Sequence, residues 1–124
     1  MKISLSRRFA SEFLGTAFLV AAVVGSGIMG DRLAGGNVAL ALLANTIATA
    51  AALAALILTL RPISGAHLNP MVSIVEAFLR GLTWKEAYFY VVAQVSGGIF
   101  GAACANVMFA LPPFSLSGTR LAPR

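Results

Sequence analysis

The residues of this chain whose types and spacing could do chemistry lie in one stretch, Ser64-Gly65-Ala66-His67-Leu68-Asn69-Pro70-Met71-Val72-Ser73. It falls between two long apolar runs. Asn69 is a good helix N-cap, and Pro70 suits the first helical position, where a missing N–H costs nothing. Together they predict a short helix over Pro70 to Leu79. About ten residues at 1.5 Å each reach about 15 Å, roughly half of a ~30 Å hydrocarbon core. A short helix preceded by a Gly-containing extended piece builds a re-entrant loop. Irregular backbone at that depth is tolerated only where protein packs around it or where it lines a wet cavity. The motif therefore implies a pore or a binding site and not merely an anchor.

Bond-making chemistry finds no support. No nucleophile stands with a base, and one His, one Cys and four acidic residues make no metal site or triad. There is no phosphate-cradling glycine loop. The expectation is no enzyme, no metal and no cofactor. The polar groups expected at membrane depth are few: Glu12, Thr16, Asn45, Thr46, Thr49, His67, Asn69, Glu76, Gln94 and Asn106. Polar groups in lipid are expensive and usually have a task.

The elements that must hold these residues follow from composition. The chain has 124 residues, 59% hydrophobic and 10% charged, too apolar for a soluble domain of this length. Phe9 to Gly30, Val38 to Leu60 and Ala87 to Leu111 are each long enough to span, above the ~20 residues required. Lys2, Arg7 and Arg8 precede the first, as in a signal peptide. The segment is longer than a signal core, lacks a clear A-x-A end, and further spans follow. Arg61-Pro62 should end the second helix. Thr83 and Glu86 fit a capping box at the start of the third, with Trp84 as an interfacial anchor. Small residues recur at four-residue spacing, Ala17, Ala21 and Gly25 in the first helix, Gly97 and Gly101 in the last, which predicts close helix packing. Cys104, alone, reads as a small packing residue.

Charge sets orientation. With the N-terminus inside, Lys2, Arg7, Arg8, Arg61, Arg80 and Lys85 are cytoplasmic, and Arg32, Arg120 and Arg124 are outside. The expectation is a multi-pass protein of the cell membrane (inner or plasma), N-terminus in and C-terminus out. These charges flank spans and form no stripe, so no nucleic-acid partner is expected. The organisation expected is a channel-like unit over residues 1–111 and an exposed tail over 112–124, rich in Pro, Ser and Gly.

Ser64-Gly65-Ala66-His67-Leu68-Asn69-Pro70-Met71-Val72 resembles the first signature loop of the aquaporin, or major intrinsic protein, family, where the usual text is SGxHxNPAV. Glu12-Phe13-Leu14-Gly15-Thr16 resembles the family's first-helix E-x-x-G-T. Tyr90 to Gly98 resembles its third-helix Y-x-x-A-Q-x-x-G-A. The second helix looks closest to a bacterial branch linked to metalloid-resistance genes. The resemblance runs from about Arg8 to Ser117 and departs at two points. Met71 stands where the family has Ala. A family member also has two such halves, with six spans and two Asn-Pro loops, and this sequence holds the first.

The resemblance implies an all-helical membrane protein, three transmembrane helices plus one re-entrant half-helix, half of an aquaporin fold. It implies a facilitative channel, or channel half, for water or small uncharged solutes such as glycerol or arsenous acid. Asn69, Pro70, Met71, Gly65, Ala66 and His67 would line the pore, the carbonyls of Gly65, Ala66 and His67 forming a ladder of acceptors. Thr49 matches the helix-two position at the outer constriction. A Thr there is smaller than the aromatic of water-strict members. Glu12 would fasten the loop, and Gln94 would supply a packing hydrogen bond. Local alternatives stand beside these: His67 bonded to its own loop, Glu12 at the interface, Glu76 at the surface, Thr49 bonded to its own helix. The partners implied are the bilayer, a small neutral solute, and an oligomer or second-half partner. An inactive fragment or assembly subunit is the alternative, and half of a secondary transporter the more distant one.

Overall fold

The structure, a computed structural model, describes residues 3–114. Four helices account for most of them: α1 (Leu5–Leu33), α2 (Val38–Ser64), α3 (Pro70–Phe78) and α4 (Trp84–Met108). α1, α2 and α4 are each long and apolar enough to cross a membrane. α1 has 29 residues, about 44 Å of helix, so its ends project beyond a ~30 Å hydrocarbon core. Asn37 caps α2 by accepting from the Leu40 N–H at 3.1 Å. The turn before it is short, which makes α1 and α2 antiparallel neighbours.

The expected stop at Arg61-Pro62 is not observed. α2 continues through Pro62 to Ser64. Proline removes one donor within a single last turn, and residues beyond it still find partners. Gly65 then ends the helix with φ +93°, its N–H donating to the Arg61 carbonyl at 3.0 Å. A left-handed residue at that position is a common helix stop, and glycine adopts it without a Cβ clash. α4 ends at Met108, three residues before the apolar run does. The Leu111 N–H folds back to the Asn106 carbonyl at 2.8 Å, and Asn106 Nδ2 donates to the Pro113 carbonyl at 3.0 Å. The described part of the expected tail, 112–114, is exposed; 115–124 lie outside the described residues.

α1 is the centre of the arrangement. It packs against α2 on one side and α4 on the other, and α3 packs against α4. The α1–α4 seam is closed by glycines. A Cβ on Gly97 would collide with the Phe13 carbonyl, and one on Gly101 with the Ala17 carbonyl. On the α1–α2 seam Asn45 Nδ2 donates to the Val23 carbonyl at 2.8 Å and to Ser26 Oγ at 3.1 Å. The buried apolar residues are mostly small, among them Ala17, Ala87, Ala93 and Ala105. The large ones point outward: Leu42, Ile47, Leu58 and Phe18 are all exposed. Such a surface needs lipid or protein around it.

Candidate functional site

Five residues, Gly65 to Asn69, join α2 to α3, and the three between the two cap residues make no helical bonds. The segment alternates. Gly65 and Asn69 are exposed and His67 is half-buried, whereas Ala66 and Leu68 are buried. Ala66 and Leu68 hold φ of 53° and 51°, a left-handed backbone that non-glycine residues seldom adopt. Strain of that kind persists only where the surroundings fix it.

Glu12 does the fixing. Its side chain is fully buried within the protein. Oε1 accepts from the His67 N–H at 3.0 Å and from Ser64 Oγ at 2.6 Å. Oε2 accepts from the Leu68 N–H at 2.8 Å and from Gln94 Nε2 at 2.8 Å. Four donors on one carboxylate are what a buried anion requires. The Ala66 N–H donates to Ser64 Oγ at 3.2 Å. The amides of Ala66, His67 and Leu68 are thus all spoken for. The carbonyls of Gly65, Ala66 and His67 accept no hydrogen bond among the described residues. The loop is polarised, its donors turned to the protein and its acceptors left over.

The half-helix starts as its first residues dictate. Asn69 Oδ1 accepts from the Met71 N–H at 2.9 Å, and Pro70 occupies the first turn. Nine residues make a marginal helix in isolation, so α3 depends on its packing. It buries Ser73 and Ala77 and packs on α4. With Oδ1 engaged in the cap, Asn69 Nδ2 makes no hydrogen bond among the described residues and lies on the exposed side. Met71, beside it, is 64% exposed. The helix N-terminus adds about half a positive charge next to this amide.

The His67 ring reaches from the loop to α3. Nδ1 lies 3.0 Å from Ser73 Oγ, and the ring meets Tyr90 edge-on at 5.2 Å. Ser73 Oγ also accepts from Gln94 Nε2 at 2.9 Å. Gln94 therefore binds both Glu12 and α3, more than one packing bond. Glu76 is half-buried, its carboxylate lying where a side chain on Gly81 would go.

Thr49 stands apart. α2 packs along α1 and reaches α4 through the Ser64 carbonyl at its last residue. Thr49 Oγ1 is buried and bonds to nothing among the described residues. Thr46 and Thr59, by contrast, donate to carbonyls of their own helix, those of Leu42 and Ala55. Ser64, Ser73 and Tyr90 stand in the motifs read from the sequence, but no role at the site was assigned to them there. Tyr90 is wholly buried and donates from Oη to the Ser64 carbonyl at 2.7 Å. The available signal was spacing: Glu86, Tyr90 and Gln94 recur every four residues, as do Arg8 and Glu12.

Comparison with protein families matches residues 1–119 to Major intrinsic protein. Among curated proteins, the Rhizobium meliloti aquaglyceroporin AqpS is 54% identical over 116 residues, covering 94% of this chain and 49% of the relative. The probable aquaporin NIP5-1 of Arabidopsis thaliana is 33% identical over 119 residues, 96% of this chain and 38% of the relative. Aquaporin A of Dictyostelium discoideum is 40% identical over 94 residues, 76% of this chain and 33% of the relative. The chain spans about half the length, or less, of these relatives.

Proposed function

The chain belongs to the major intrinsic protein family, and on that premise we propose that it forms one half of a facilitative channel for water and small uncharged solutes. It is a multi-pass membrane protein of a channel family, not an enzyme. Half of the aquaporin fold is what its helices make.

The observation that carries the proposal is the one-sided bonding of the loop. Glu12 and Ser64 take up the amides of residues 66–68, while three carbonyls and the Asn69 amide stay available. A neutral solute with hydroxyl groups can donate to the carbonyls and accept from the amide. A cation meets the positive end of α3 and is disfavoured. Gly65, Ala66, His67, Asn69, Pro70 and Met71 then line the path. Glycerol is the preferred solute of this reading, supported by the aquaglyceroporin relative and by Thr49 in place of a bulkier residue. Arsenous acid, small, neutral and rich in hydroxyls, fits the same donors and acceptors. The N-terminus is assigned to the cytoplasm from the Lys/Arg bias, six against three.

A complete path requires a second half, from the same polypeptide or from another chain. α2 and α3 are not in contact, and no residue of the apolar window of α2 is buried. The test is reconstitution in liposomes with reporters on both ends of the chain, followed by swelling in a glycerol gradient. Alone, inserted in one orientation, the chain should give little flux above protein-free vesicles. Together with the second half of a close relative it should give rapid flux, indifferent to ion gradients. An assembled complex that conducts nothing overturns the proposal. Flux that follows an ion gradient overturns it in favour of a transporter.

A further inference from the structure

We propose that Arg8 is a positioning residue for the Gly65–Asn69 loop and that it acts through Tyr90. The geometry is a directed chain of hydrogen bonds. Arg8 Nε donates to Tyr90 Oη at 2.8 Å, and Tyr90 Oη donates to the Ser64 carbonyl at 2.7 Å. A guanidinium carries donors only, so the phenol must receive from Arg8, and its single proton is left for Ser64. The Ser64 carbonyl belongs to the last residue of α2, where no helical N–H is available to it. Its bond to Tyr90 orients the peptide that leads into the left-handed Gly65. From there the amides of Ala66 to Leu68 reach Ser64 Oγ and Glu12.

Arg8 is itself held from a different nitrogen. Nη1 donates to Glu86 Oε1 at 2.6 Å. Glu86 Oε2 accepts from the N–H and the hydroxyl of Thr83, the cap of α4. The guanidinium also lies over the Tyr90 ring, 5.2 Å from its centre. Arg8 and Glu12 are one turn apart on α1; Tyr90 and Gln94 are one turn apart on α4. α4 thereby grips the loop twice, directly through Tyr90 at the Ser64 carbonyl and through Gln94 at Glu12. The start of α4 and the start of α1 are registered by one arginine, and that register passes to the loop. A lysine at position 8 would preserve the charge opposite Glu86, but a single ammonium lacks the fork that reaches both partners.

This inference takes from the proposed function only that the loop is the working part. It is tested without any solute flux. The full chain is placed in lipid nanodiscs and amide hydrogen exchange is followed at Ala66, His67 and Leu68 against the amides of α1 and α4. Tyr90→Phe keeps the ring and removes the hydroxyl. It should lower loop protection about tenfold relative to the helices, as expected for one lost hydrogen bond. Arg8→Lys should do nearly the same, and adding it to Tyr90→Phe should cost no more, because both act on one link. The loop-to-helix ratio is the readout, so a general loss of stability does not mimic the effect. An unchanged ratio in Tyr90→Phe overturns the proposal. So does an Arg8→Lys effect that persists in full in the Tyr90→Phe background, which would make Arg8 a partner of Glu86 alone. A chain that conducts nothing still passes or fails this test.

Discussion

The carbonyl of Phe13 occupies the space that a side chain on Gly97 would need. One turn further, the Ala17 carbonyl stands in the same relation to Gly101. α1 and α4 meet backbone to backbone along this line, and the Glu12–Gln94 bond lies at its end. Helices in lipid gain no hydrophobic drive toward each other, so close contact of small residues has to supply the attraction.

Gly101→Leu should therefore pry the two helices apart. Overpacking of this kind costs about 1–3 kcal/mol, occasionally more. Unfolding of the reconstituted chain in rising dodecyl sulfate, followed by circular dichroism, measures it. Gly98→Ala is the control, because its Cβ would meet only ordinary contacts at 3.7 and 3.8 Å. Equal stability for both variants would remove the seam from the account.

Glu12→Gln replaces one acceptor oxygen by an amide nitrogen facing donors. One or more of the His67 N–H, the Leu68 N–H, Ser64 Oγ and Gln94 Nε2 then lose their partner. Each buried group left unpaired costs about 1–3 kcal/mol. The same denaturation series should show a loss of that size, and glycerol flux of the assembled channel should fall with it. A fully stable Glu12→Gln chain with intact flux would mean the loop holds itself.

Asn69 has two separable tasks, the cap through Oδ1 and the free amide through Nδ2. Asn69→Ser keeps a capping oxygen and deletes the amide donor; Asn69→Ala deletes both, at about 1 kcal/mol for the cap. The folded amount of Asn69→Ser should stay near that of the parent while flux per folded channel drops. If Asn69→Ser conducts normally, the residue is a cap and nothing more.

Thr49→Phe tests the width of the outer constriction. In the assembled channel it should cut glycerol and arsenite entry and spare water, since only the larger solutes need the space. Loss of all three together would report misfolding, and loss of none would take Thr49 out of the path.

Much of this was legible before any coordinates. Asn69-Pro70 announced a half-helix, and α3 starts at Pro70 because the cap and the missing N–H are local matters. Thr83 and Glu86 form the capping box their spacing indicates. Gly97 and Gly101 face α1 as the four-residue repeat suggests. Pro62 misled, because a proline in a last turn removes one bond while Gly65 sets the actual stop. The roles of Ser64, Ser73 and Tyr90 stayed hidden because hydroxyls are common in apolar helices, where most bond their own backbone, as Ser26 and Ser96 do here.

The sequence by itself determined the three spans, the half-helix, the small-residue seam and the family motifs. These depend on residue type and on spacing along one chain, and short-range physics reads both. The resemblance implied that Glu12 fastens the loop; only the tertiary structure decided which donors it meets. Glu12 and the loop amides lie 55 and 56 residues apart, and Gln94 another 82 from Glu12. No periodicity encodes such a meeting. It arises because lipid offers no partner for a carboxylate or an unpaired amide, so the fold that brings them together is the one that persists. That closure uses the donors of the loop and leaves its acceptors, which is the asymmetry on which the proposed function rests.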